Sequence, residues 1–415
     1  MFRKKATLLL NFLKKHIEGP KQGSKQWKAD REESVGGSDL DRLIQNEKSF
    51  IADKLGLVRK YNNIQMNMGN IFEDSLREFV EYMLGTQIYE TTGIPSKQVK
   101  GKHYSPDGLG MVKLLVDKWD DIDYECYMYF LTLFEFKITF SREMKHGEVY
   151  SKYLPQILSG MSDLDIPDVC IYVETNLRLC NYEDLDNTPK CIEWLYKKPP
   201  NPLGLKPMKY GFLGFYTLDQ NPQVPEDEDP FLQIMLNEWL STTADIGNIT
   251  DFAKSESEKY LNYLFQLVKL GIVKQWQSGS YYSAKEINGM KCKWLRNQRR
   301  RVKDQIPIMD SELAEFVKIP GIYRIGILGF KLFDLNMVTV EKEPDYTKKY
   351  ETEITRAIAN IKKIKQIACD NFEYRQQLLN EIYPSPLDYA KDEIGDIELD
   401  SSLDQMTELV LSSYS

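Results

Sequence analysis

Apolar residues at Ile71, Phe72, Leu76, Phe79, Val80 and Met83 recur at helical spacing, which predicts an amphipathic helix over 67–84. Glu73 falls on the edge of that apolar face, while Asp74, Arg77, Glu78 and Glu81 fall elsewhere. At 129–139 the chain is rich in aromatic and β-branched residues, as a strand requires. Alternation then sends Phe134, Phe136 and Ile138 to one face and Glu135 and Lys137 to the other. Residues 168–179, 210–218 and 321–340 also carry strand patterning, the first of them that of a buried strand. A helix is predicted over 153–164, with Pro155 tolerated in its first turn. Pro344-Asp345-Tyr346 opens a long helix running to about Tyr383. Near the start, Gly36-Gly37 followed by Ser38 or Asp39 reads as a loop entering a capped helix with Leu40, Leu43 and Ile44 on its apolar face. Helices, then strands, a helix and a further strand make a mixed α/β plan with one central sheet.

The 415 residues suffice for one large domain or two ordinary ones. The pattern divides into an N-terminal helix (1–20), an α/β core (21–218), a mainly helical, charged stretch (219–320), closing strands and helix (321–385) and an acidic tail (386–415). The apolar run of the first helix is too short to span a membrane, and no membrane association is expected. The six cysteines form no CxxC pair, which argues against zinc ribbons and cysteine-ligated iron–sulfur clusters and suits a reducing intracellular compartment. Three histidines leave little for Ser-His-Asp hydrolysis or a histidine metal site.

Candidate chemistry lies between Ser105 and Gln156. A turn, Ser105-Pro106-Asp107-Gly108, precedes the strand carrying Glu135-Phe136-Lys137. Two carboxylates and a lysine are the equipment for phosphodiester hydrolysis with a hard cation, Mg²⁺ with Mn²⁺ as substitute. Taken alone, Glu135 and Lys137 read equally well as a solvated pair on an edge strand, and Glu73 as a first-turn partner of the helix dipole. The net charge of −8 does not advertise nucleic-acid binding. Within the helical stretch, however, Lys291, Lys293, Arg296, Arg299, Arg300, Arg301 and Lys303 put seven basic residues into thirteen, with Trp294 among them. That combination suits a phosphate backbone and a stacked base, or a solvated helix face paired with the chain's own carboxylates.

These pieces, in order, resemble the YqaJ-type viral recombinase family, the lambda-exonuclease branch of the PD-(D/E)XK nucleases. Trp27, Arg31 and Ser38 look like the family's entry motif, and Gly69-Asn-Ile-Phe-Glu73 like its Gly-X-X-X-Glu helix. Ser105-Pro-Asp107-Gly-Leu109 and Glu135-Phe-Lys137 look like its core, Tyr153-Leu-Pro-Gln156 like its Tyr-X-X-Gln helix, and 338–346 like its closing strand and helix. Gly36-Gly-Ser-Asp39, Ile171-Tyr-Val-Glu174 and Lys331-Leu-Phe333 are similar to the version in large DNA viruses of eukaryotes. The resemblance covers roughly 21–218 and 321–383 and makes 219–320 an insertion.

The resemblance implies a restriction-endonuclease-like α/β core, a central mixed sheet flanked by helices. It implies that Asp107, Glu135, the carbonyl of Phe136 and Glu73 bind metal, that Lys137 positions or activates water, and that Tyr153 and Gln156 support the site. Arg31, Ser38 and Ser105 would hold a 5′-phosphate. The implied activity is a Mg²⁺-dependent 5′→3′ exodeoxyribonuclease on linear duplex DNA, leaving 3′ single-stranded tails for recombination, repair or genome processing. DNA ends are then the partner, joined by a single-strand annealing protein, at the host-cell site of viral DNA replication. The alternatives are a DNA- or protein-binding module with weak or no catalysis, and an endonuclease or RNA-degrading nuclease on the same fold.

Overall fold

Nine strands and eleven α-helices appear in the computed structural model, which describes residues 2–18, 25–58, 64–116, 126–139, 142–193, 207–242, 257–281 and 302–384. The strands are β1 Ile88–Tyr89, β2 Ile94–Pro95, β3 His103–Tyr104, β4 Gly108–Val116, β5 Cys126–Thr139, β6 Val169–Cys180, β7 Lys209–Thr217, β8 Lys274–Tyr281 and β9 Tyr323–Glu341. The helices are α1 Phe2–His16, α2 Lys25–Glu32, α3 Leu40–Gln45, α4 Glu47–Lys54, α5 Ile64–Leu84, α6 Leu154–Leu164, α7 Pro230–Thr242, α8 Ser257–Lys269, α9 Val302–Lys318, α10 Glu351–Ala368 and α11 Phe372–Ile382.

Seven strands form one mixed sheet in the order β1-β4-β5-β6-β9-β7-β8. Strands β5 and β6 run parallel and are linked through α6; the other strand pairs of this sheet among the described residues are antiparallel. Helices cover both faces, so the α/β class with a central mixed sheet flanked by helices is what the chain adopts. On one face Phe134 and Phe136 pack with Leu76, Phe79 and Val80 of α5. On the other, Leu131 and Leu133 pack with Ile157, Met161 and Leu164 of α6 and with Leu9, Phe12 and Leu13 of α1. The period-two alternation of β5 is thereby used in full, each face meeting a different helix layer.

Helix α5 stops where Gly85 takes a left-handed conformation, φ 60°. Helix α6 follows a 3₁₀ turn, Ser151–Tyr153, carries Pro155 in its first turn, and ends at Asp165. Three expectations are corrected. The long closing helix is two helices: the chain breaks after Ala368, and the Asn371 side chain accepts from the Tyr374 N–H to start α11 afresh. Asp39 makes no side-chain cap to α3; its carboxylate turns to the Gly36 N–H and to two cations instead. The 219–320 stretch, expected to be mainly helical, also supplies β8 to the sheet beside β7, where Gln275 and Gln277 donate to the Ile71 carbonyl of α5.

Tyr104 of β3 is buried beneath α6 and touches two glycines. A β-carbon on Gly160 would lie 2.3 Å from its ring, and one on Gly37 2.4 Å. Gly160→Ala should therefore destabilise the protein by about 1–3 kcal/mol despite alanine's better helix propensity, because a fully packed ring has nowhere to go. A urea unfolding midpoint unchanged by Gly160→Ala would contradict this packing.

Candidate active site

The register of β4 on β5 builds the centre of the site. Gly108 pairs with Phe134, so Asp107, the residue just before β4, comes beside Glu135 and Phe136. The Asp107 carboxylate accepts a 2.9 Å hydrogen bond from the Phe136 N–H and lies 3.5 Å from Lys137 Nζ. Glu135 is completely buried. Its Oε1 accepts from Lys137 Nζ and from Gln156 Nε2, and its Oε2 accepts from the Tyr104 hydroxyl at 2.6 Å. The Tyr153 ring lies 5.2 Å from the Lys137 ammonium. Four of the residues singled out from sequence alone, Asp107, Glu135, Lys137 and Gln156, thus join one hydrogen-bonded network, with Tyr153 against it.

Glu73 approaches from α5. It pairs with Arg77 at 3.4 Å, one turn along the helix, and makes no hydrogen bond to the other two carboxylates. Burial and then the nearby Asp107 charge raise its carboxyl to about 8. The same two causes raise Glu135 to about 7, against the pull of Lys137. Burial opposes a charge on Lys137, but Glu135 and Asp107 outweigh it and push the ammonium well above the usual lysine range.

The donor chemistry fits a hard divalent cation. Three carboxylates converge here, and burial, reinforced by the Asp107 charge, makes two of them resist ionisation. Among the described residues no three acidic, histidine or cysteine side chains stand close enough to enclose an ion, and the Lys137 ammonium lies beside both Asp107 and Glu135. Asp107, Glu135 and Glu73 are the residues that would hold the cation.

A second cluster adjoins the first. The Arg31 guanidinium stacks on Trp27 at 4.5 Å and donates to Ser38 Oγ at 3.2 Å, while Trp27 Nε1 donates to Ser105 Oγ at 3.3 Å. Arg31, Ser38 and Ser105 therefore gather, with Trp27 joining them. Burial works against an ionised Asp39, yet Lys54 and Arg31, with hydrogen bonds from Lys54 and Gly36, hold its carboxyl well below the usual range. His103 is pushed down to about 4 by burial and by Arg31 and Lys102, so it adds no charge at neutral pH.

Sequence reasoning missed Tyr104, Lys54 and the fully buried Lys102–Asp163 ion pair, 2.9 Å apart, which ties β3 to α6. Tyr104 directly precedes the Ser105 turn, and that adjacency was the available signal. The basic segment from Lys291 to Arg301 lies outside the described residues, as does the side chain of Lys303. None of the described helices is long and apolar enough to cross a membrane.

The chain is similar to Protein D345L of African swine fever virus, 27% identical over 233 residues in each of two isolates. The match covers 52% of this chain and 66% of the viral protein, so it spans just under two thirds of the relatives' length. Among solved structures it is similar to an alkaline exonuclease (LHK-Exo) from Laribacter hongkongensis, on its own and in complex with dAMP. There the TM-score is 0.27 and the identity 19%, over 37% of this chain and 74% of that one. No protein-family model matches the chain.

Raised carboxyls have a consequence for stability. Glu73 and Glu135 favour their protonated forms in the folded, cation-free chain. Their contribution is fully present below the ordinary glutamate value of about 4.3 and is lost as pH rises through about 7 and about 8. With chelator present, the thermal midpoint should fall across that window, and Glu73→Gln should flatten the fall. A midpoint that is level through the window in the wild type would contradict the crowding of charge at this site.

Proposed function

We propose that the protein is a divalent-cation-dependent 5′→3′ exodeoxyribonuclease of the lambda-exonuclease type, acting on the ends of linear duplex DNA and leaving 3′ single-stranded tails. The observation that carries the reading is the single network of Asp107, Glu135, Lys137 and Gln156, with the Arg31–Ser38–Ser105 cluster beside it. A bound Mg²⁺ or Mn²⁺ would polarise the scissile phosphate and favour hydroxide over water as the nucleophile.

The chain's own groups supply the rest. Lys137, 3.5 Å from Asp107 and hydrogen-bonded to Glu135, positions or activates the attacking water and stabilises negative charge developing on the phosphoryl group. Gln156 and Tyr104 each donate to Glu135, which fixes the carboxylate's rotamer and leaves its orientation independent of bound substrate. Water adds to phosphorus, the P–O3′ bond breaks, and the 3′ oxygen leaves with a proton. The 5′-phosphate so formed stays on the next nucleotide, where Arg31, Ser38 and Ser105 offer one guanidinium and two hydroxyls to receive it. The tail produced is a substrate for a single-strand annealing protein, which is the partner this product calls for.

Digestion of 5′-phosphorylated linear duplex with Mg²⁺, beside closed circular DNA, tests the reading. The linear DNA should be degraded and the circle spared, and Lys137→Ala should slow the reaction by about 10²-fold or more. Cutting of the circle would replace the proposal with an endonuclease. Binding without cleavage in either Mg²⁺ or Mn²⁺ would replace it with a binding module.

A further inference from the structure

The 5′-phosphate cluster contains an anion of its own. Asp39 Oδ2 lies 2.8 Å from Lys54 Nζ, 2.8 Å from the Gly36 N–H and 3.5 Å from the Arg31 guanidinium. A carboxylate so near the one arginine that would receive a phosphate is a competitor for it. Lys54 decides how that competition falls out. It is almost wholly buried, its ammonium makes the shorter contact to Asp39, and it also donates to the backbone carbonyl of Arg31 at 2.9 Å. Gly36 adds room: a β-carbon there would come within 2.6 Å of the Arg31 terminal nitrogen, so the guanidinium needs the bare backbone to reach its place.

We infer that Lys54 is a positioning residue that keeps the Arg31 guanidinium open to a terminal phosphate, by taking the Asp39 charge that would otherwise close on Arg31. This rests on the reading of the cluster as a phosphate pocket and extends it to a residue outside the contact set. The charge count shows what it does. Arg31 and Lys54 against Asp39 leave one positive charge for the incoming phosphate. Without Lys54 the count is zero, and the half-buried Asp39 has Arg31 as its remaining cationic partner. Without both Lys54 and Asp39 the count returns to one.

The test is equilibrium binding of duplex carrying a 5′-phosphate or a 5′-hydroxyl, with chelator present so that no DNA is cut. The quantity read is the ratio of the two affinities. Wild type should prefer the phosphate. Lys54→Met should cut the ratio by about tenfold, the worth of one charge-assisted hydrogen bond. Lys54→Arg should keep it. The double variant Lys54→Met/Asp39→Asn should bring it back to near the wild-type value, which a merely structural role for Lys54 would not do. An unchanged ratio in Lys54→Met, or a fall that the double variant fails to reverse, would overturn the inference while leaving the phosphate pocket standing. A wild type that binds both ends equally would overturn the pocket, and this inference with it.

Discussion

A carboxylate with no exposure to water, set in the middle of a sheet, constrains everything around it. Glu135 can remain there only if its oxygens are satisfied and its charge is answered, since a lone buried ion costs several kcal/mol even after relaxation. Three donors meet that demand from three places: Lys137 from the same strand, Tyr104 from β3 and Gln156 from α6. The parallel β5–α6–β6 unit is what makes this possible, because the crossover lays the first turn of α6 over the end of β5 where Glu135 points. Even so, burial and the neighbouring Asp107 charge raise the carboxyls of Glu73 and Glu135, a crowding that a divalent cation would relieve.

The tie between β3 and α6 is made twice. Tyr104 fills the space left by two glycines and reaches Glu135, and two residues earlier Lys102 pairs with Asp163 where neither is exposed. Breaking one partner of such a pair is costly, whereas the intact pair contributes little net stability. Its use here is registry: it sets where α6, and with it Tyr153 and Gln156, sits along β3.

The alternation at Phe134-Glu135-Phe136-Lys137 was legible because a strand splits its neighbours between two faces, and both faces here are covered. The helix carrying Glu73 and the one carrying Gln156 were legible from period and from proline placement. What could not be read depended on contacts between distant segments. Tyr104 looks like any strand aromatic until α6 and Gly37 close on it, and Lys54 like any helix-end lysine until Asp39 arrives from the preceding turn. The polar loop leading to Tyr150 carried no sign that Asn336 of β9 would receive the Gly147 N–H and donate to the carbonyls of Lys145 and Glu148. Strand β8 was lost for a related reason: its Lys-Gln-Trp-Gln-Ser-Gly sequence is polar because it lies at the sheet edge, with its glutamines spent on α5.

Tyr104-Ser105-Pro106-Asp107 joins the two clusters within four consecutive residues. Tyr104 bonds Glu135, Ser105 bonds Trp27 beneath Arg31, and Asp107 bonds the β5 backbone at Phe136. Proline at the third place fixes its own φ and restricts the residue before it, so the segment has little freedom to flex. Each end is also held by an element that belongs to one cluster alone, α2 by the Trp27 bond and β5 by the Asp107 bond. The two clusters are therefore coupled through one stiff segment, hydrogen-bonded to α2 at Ser105 and to β5 at Asp107.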